Sequence, residues 1–160
     1  MRYLFLIASL FYIAHVQSQD CKRITTVVDK FTGDTTYSTP VIKIVSAVKI
    51  KSSDTSRPGG RTYLSLRSYG YNAVLDAKGA YVILEDGTKL SWPEQTIDVR
   101  VNKLNNTSFE YSAFIELTEE QSKLLSEKAI TDFRIYVFDM AVNSDYAKKF
   151  VSMMKCLITK

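Results

Sequence analysis

Histidine is nearly absent from this 160-residue sequence, and its single copy, His15, lies in the apolar N-terminal stretch. Histidine is the usual general base of serine and cysteine hydrolases and the commonest metal ligand. A chain that loses its N-terminal stretch on export would contain no histidine at all. The sequence therefore argues against a histidine-based hydrolase and against a histidine-ligated metal.

Cysteine and glycine are also scarce. The only cysteines are Cys21 and Cys156, and the six glycines are scattered through predicted turns, without a Walker-type or dinucleotide-binding loop. If the two cysteines pair, the chain has no thiolate nucleophile and no cysteine-rich zinc site. We therefore expect neither a cofactor nor a metal.

Long hydrophobic runs are absent as well. The longest, residues 3–14, is shorter than the roughly 18 apolar residues that a membrane-spanning helix needs. It follows a short cationic start and precedes small residues, which predicts a signal peptide over residues 1–18, cleaved after Ser18. Residues 19–160 then form a single domain without a transmembrane segment, and the protein is secreted, periplasmic or on the cell surface.

Export favours a disulfide. Two cysteines in an oxidising compartment are more often paired than free. Cys21 lies near the start of the predicted mature chain and Cys156 near its end, so a bond between them would close a loop of more than 100 residues. Chain entropy suggests a contribution of about 4 to 5 kcal/mol. The alternative is two buried free thiols, because pairing requires the two elements to come within bonding distance.

The charges indicate solvated surfaces. There are 21 basic and 17 acidic residues, a formal net charge of +4, and they are scattered along alternating segments. A nucleic-acid footprint would need a basic patch or stripe. We therefore expect no nucleic-acid partner.

Two helices are predicted. Thr118 and Gln121 have the spacing of a capping box, which opens a short helix near 118–127. A C-terminal helix near 144–157 follows from apolar residues that recur at steps of three and four. These residues are Ala147, Phe150, Met154 and Leu157.

Most of the remaining chain alternates between apolar and polar residues, which predicts an α+β fold with a mostly antiparallel sheet. We expect about seven to eight strands in a curled or sandwich-like arrangement. In residues 41–51 the even-numbered residues are predicted to form an apolar face, and the odd-numbered residues are predicted to face solvent. Residues 81–84 are uniformly apolar, which suits a strand buried on both faces.

The remaining predictions concern one hairpin turn and the strands around and after it. The stretch 85–88 contains Gly87 and predicts a hairpin turn. The returning strand, residues 89–92, is expected to stop at Pro93, before a separate strand at 97–101. Residues 130–138 are expected to form one last strand.

The segment Asn105-Asn106-Thr107-Ser108 contains two overlapping N-glycosylation acceptors. They matter only in a eukaryotic secretory pathway. We interpret Asn105 and Asn106 as turn residues, because asparagine tolerates turn conformations.

Several short motifs resemble those of small exported proteins of Bacteroidetes-type bacteria. They are "DKFTG", "LEDG", "LTEEQ", "ITDFRIYVFD" and the closing "KKFVSMMKC", together with the signal peptide and the early cysteine. The resemblance covers most of the predicted mature chain, but its motifs are turns and caps. It implies a periplasmic or cell-surface location and supplies neither an activity nor a site residue.

The candidate functional surface combines a polar loop with aromatic residues. The loop, residues 52–60, lacks apolar side chains and ends in Pro-Gly-Gly, and tyrosines follow it. The proposed partner-binding residues are Arg57, Arg61, Tyr63, Tyr69 and Tyr71. Tyrosine suits interfaces and sugar stacking, although it is also common in half-buried strands. The leading hypothesis is a non-enzymatic exported domain that binds a protein or a glycan.

Two other functions stay open. A carboxylate-dependent hydrolase needs two acidic side chains that flank the cleaved bond. Its candidates are Glu85, Asp86, Glu94, Asp98, Glu110 and Glu116. A carrier of a small apolar ligand would instead enclose a cavity within the curled sheet.

Overall fold

The computed structural model describes residues 21–54, 60–102 and 107–160. The predicted signal peptide, Arg57, and both Asn105 and Asn106 lie outside the described residues. No helix in these three ranges is long and apolar enough to cross a membrane.

Within these ranges nine strands form one antiparallel sheet, accompanied by two helices. The strands are β1 (Thr25–Val28), β2 (Thr35–Ser38), β3 (Val45–Lys51), β4 (Arg61–Gly70), β5 (Lys78–Leu84), β6 (Lys89–Val101), β7 (Phe109–Leu117), β8 (Ile130–Ile135) and β9 (Phe138–Ala141). The helices are α1 (Glu119–Glu127) and α2 (Ser144–Ile158). The sheet order is β1-β2-β3-β4-β7-β6-β5-β8-β9. The predicted α+β class is confirmed.

The sheet curls strongly. Four strands separate β4 from β9 in the sheet order, yet Phe138 of β9 packs against Gly70 of β4. A Cβ atom on Gly70 would lie 2.6 Å from the Phe138 ring, and the Tyr111 and Phe138 ring centroids are 4.7 Å apart. Glycine at position 70 therefore lets the ring of one edge strand lie against the backbone of a distant one. This curvature gives the sheet a concave face and a convex face.

Helix α2 packs on the concave face. Asn143 caps it by accepting a hydrogen bond from the Asp145 amide at 2.9 Å, which satisfies one of the amides that a helix start leaves unpaired. The residues predicted for its apolar side are all buried: Ala147, Phe150, Met154 and Leu157. The apolar gap beside Phe150 measures only about 10 Å³, room for at most one water molecule. The part of the concave face beneath Phe150 is thus occupied by the helix itself.

The predicted disulfide is confirmed. Cys21 and Cys156 are bonded, with their Cα atoms 5.3 Å apart and a sequence separation of 135 residues. The bond joins the segment before β1 to the last turns of α2. It therefore fastens the two ends of the described domain together.

The last predicted strand is in fact two strands. Residues 130–138 divide into β8 and β9, with Tyr136 and Val137 as the hairpin between them and Ile135 paired with Phe138. Tyr136 takes a positive φ of 55° and its amide donates to the Gly79 carbonyl at 2.8 Å. The prediction of one strand was wrong because neither Tyr nor Val carries the usual signal of a tight turn.

The predicted faces of residues 41–51 are reversed. A bend at Lys43, where φ is 56°, precedes the strand, so β3 begins only at Val45. Val45, Ala47 and Lys49 then point to the concave face and are buried, whereas Val48 and Ile50 lie half-buried on the convex face. The apolar even-numbered residues of β3 therefore lie on the convex side of the sheet, and α2 covers its odd-numbered residues.

Two further strand predictions were wrong. Tyr81 and Ile83 of β5 are exposed on the convex face while Val82 and Leu84 are buried, because the sheet is a single layer with helices on one side only. Strand β6 runs through Pro93 without stopping. The register between β5 and β6 shifts at this point, so the ladder needs no amide donor from the proline.

The disulfide should make a large contribution to stability. Cys156→Ser should lower the free energy of unfolding by about 2 to 5 kcal/mol and leave Cys21 open to alkylation. Urea denaturation measures the loss. The wild type under a thiol reductant is the matched control and should unfold close to the variant. Alkylation of Cys21 in the native, unreduced wild type would contradict the bond.

A buried hydroxyl on β4 should be destabilising. Ser68 is 0% exposed and its Oγ has no hydrogen-bond partner among the described residues. Ser68→Ala should raise the free energy of unfolding by about 1 kcal/mol, because it removes an uncompensated polar group. Ser122→Ala is the control, since its Oγ donates to the Thr118 carbonyl at 2.9 Å. The interpretation fails if both variants lose stability equally.

Candidate functional site

Strand β4 supplies the centre of the convex face. Its residues alternate as predicted, with Leu64 and Leu66 buried and Tyr63, Arg67 and Tyr69 on the other side. Because α1 and α2 pack on the concave face, neither helix covers these side chains. The tyrosines of β4 are therefore on the uncovered face of the sheet.

The most distinctive contact on this face is an aromatic stack. Tyr63 of β4 and Phe114 of β7 have ring centroids 4.7 Å apart and an interplanar angle of 10°. Phe114 is 50% exposed, although it lies in a well-paired central strand. Phe114 was not among the predicted binding residues. The available signal was an apolar residue on the otherwise polar side of β7.

Apolar side chains border the stack on one side. Val48 pairs with Tyr63 across β3 and β4, and Ile50 pairs with Arg61. We call Val48, Ile50, Tyr63 and Phe114 the convex aromatic patch. It is a small apolar surface on the convex face, separate from the exposed Tyr81 and Ile83 of β5.

The structure brings together only some of the residues predicted for binding. Arg61 lies beside the patch, with its guanidinium 3.8 Å from the carboxylate of Glu116. Tyr69 is six residues along β4 from Tyr63, about 20 Å away at strand spacing. Its hydroxyl lies 3.5 Å from the Glu110 carboxylate. Tyr71 is 84% exposed just beyond the end of β4.

On the other side of the stack, the convex face has a shallow depression of about 300 Å³. Phe114 is its aromatic wall. Hydrogen-bonding side chains from β4, β6 and β7 complete it: Ser65, Arg67, Gln95, Thr96, Asp98, Arg100, Glu110 and Ser112. We call this the convex depression. It combines one exposed ring with donors and acceptors of both charges.

Most of the acidic candidates for catalysis are engaged with neighbouring cations. Asp98 pairs with Arg100, Glu94 with Lys78 at 3.1 Å, and Glu116 with Arg61. Each of these pairs is largely exposed, so its contribution to stability is small. Asp98 and Glu110 are the two candidates that share the convex depression.

Asp86 is held in its charged form. The Lys128 ammonium, 2.5 Å away, and the Thr88 amide hold the pKa of this carboxyl well below its ordinary value. A general acid needs the opposite shift. Its neighbour Glu85 accepts a hydrogen bond from the Ala129 amide at 3.2 Å, so both side chains tie the β5–β6 turn to the start of β8.

Within the described ranges no three side chains of the His, Cys, Asp and Glu types converge as a metal site would require. No family model, curated protein or solved structure matches the chain. The molecule is thus defined by its architecture alone: a disulfide-closed α+β domain whose curled sheet carries helices on one face.

Proposed function

We propose that the chain is a non-enzymatic exported domain that binds a glycan on the convex face. The observation that supports this most is the stack of the half-buried Tyr63 on the exposed Phe114, beside a polar depression. Aromatic rings offer flat apolar area to the C–H face of a sugar, and neighbouring carboxylate, amide and guanidinium groups bond its hydroxyls. The convex face offers both within one surface.

The dimensions favour a glycan over a protein partner. The convex depression has the volume of a small ligand site, at about 300 Å³. A stable protein–protein interface buries roughly 800 Å² on each partner and is built around a larger apolar centre. The convex aromatic patch has only four apolar residues, flanked by the ion pair of Arg61 and Glu116. A protein partner is therefore the second choice.

Export is part of the same proposal. A disulfide that closes almost the whole described domain is typical of proteins in an oxidising compartment. The cationic, apolar N-terminal stretch supports secretion across a membrane. The compartment we propose is the periplasm or the cell surface, where polysaccharides are abundant ligands.

Glycan binding is tested by calorimetry with the purified protein against a panel of neutral and acidic oligosaccharides. We expect at least one to bind, and Phe114→Ala to weaken its Kd at least tenfold, because the substitution removes the exposed stacking ring. Phe31→Ala is the matched control. Phe31 is also exposed, but lies in the β1–β2 turn.

Three outcomes would contradict the proposal. Failure of every oligosaccharide to bind would reject the glycan, and an equal loss of affinity in both variants would place the site elsewhere. Cleavage of a bound oligosaccharide would favour the hydrolase alternative. In that case Asp98→Asn and Glu110→Gln should each abolish cleavage without abolishing binding.

A further inference from the structure

One end of the concave face is left open by α2. Three side chains stand in a row there, across three neighbouring strands. Lys49 of β3 pairs with Thr62 of β4, and Thr62 pairs with Leu117 of β7. All three point to the concave side, the side on which the core lies.

This row forms the floor of an open cleft of about 610 Å³, which we call the end cleft. One wall is the first half of α1, with Glu119, Ser122 and Lys123. The other is the end of α2, with Ile158 and Thr159. The end cleft lies on the face opposite the convex depression, so it is a separate site.

The unusual group in the end cleft is Lys49. Only 8% of this lysine is exposed. Among the described residues its ammonium donates one hydrogen bond, to the Ile158 carbonyl at 2.8 Å. The ion pairs found in the described part of the chain do not include it. Buried charges are ordinarily paired, and no carboxylate among the described residues pairs with Lys49.

The end of α2 compensates this charge only in part. The carbonyl end of a helix carries about half of a negative charge, and Lys49 caps it. An ammonium has three donors, and the Ile158 carbonyl takes one. Burial lowers the pKa of Lys49 below its ordinary value, and the charge of Lys51 adds to the effect. An acceptor with a negative charge in the end cleft would relieve both costs.

We propose that the end cleft binds a small ligand through a single carboxylate group, whose oxygens accept hydrogen bonds from the Lys49 ammonium and the Thr62 hydroxyl. Thr62 lies directly across from Lys49 and faces the same space. A single negative charge matches the single buried ammonium. A dianion fits less well, because Glu119 and Lys123, the other charged side chains that line the end cleft, are of opposite sign and leave a net charge of one to balance.

The test is a titration of the purified protein with sodium butyrate, followed by the amide NMR signals of Lys49, Thr62 and Ser122. Sodium chloride at equal ionic strength controls for salt, and inorganic phosphate represents a dianion. We expect saturable shifts with butyrate, none with chloride, and weaker binding of phosphate.

Three variants locate the site. Lys49→Met keeps the apolar stem and removes the ammonium, so its Kd for butyrate should rise at least tenfold. Lys148→Met removes an exposed lysine of α2 and should leave the Kd unchanged. Thr62→Val replaces only the hydroxyl and should raise the Kd for butyrate severalfold. If Lys49→Met does not fold, the Thr62→Val result tests the proposed site. The proposal fails if butyrate shifts do not saturate, if phosphate binds as tightly, or if the folded Lys49 and Thr62 variants both bind like the wild type.

Discussion

The attachment of α2 to the concave face is the constraint on which the rest of the structure depends. The disulfide of Cys21 and Cys156 ties this helix to the segment before β1, and Phe150, Met154 and Leu157 are buried against the sheet. Both described helices pack on the same side of this single curled layer, the concave face. Once α2 and α1 occupy it, the convex face is left to solvent, and the apolar side chains there are not part of the core.

This division separates two kinds of chemistry. The convex face carries the Tyr63–Phe114 stack and a shallow polar depression, which suit a ligand that is broad and hydroxylated. The end of the concave face instead carries a buried ammonium in a larger cleft, which suits a compact anion. Helix α2 accounts for both sites. It packs on the concave face, which leaves the convex face uncovered, and its C-terminal end lies beside Lys49.

Local signals predicted much of the fold. The capping box at Thr118, the apolar spacing of α2 and the Gly87 turn depend on neighbouring residues, and all are present. Features set by distant contacts were not predictable. The tight turn at Tyr136 is supported by the Gly79 carbonyl, and the buried face of β3 is decided by where α2 lies. Lys49 was missed for the same reason, because its role arises only where β3 meets the end of α2.

The most direct test of the account is backbone amide hydrogen exchange in α2, measured with the disulfide intact and after its reduction. With the bond intact, the amides of residues 150–157 should exchange only through global unfolding, because they lie in the most buried part of the helix. Reduction should make them exchange measurably faster. The account is contradicted if, in the oxidised protein, these amides exchange as fast as those of an unstructured peptide while the amides of the sheet stay protected.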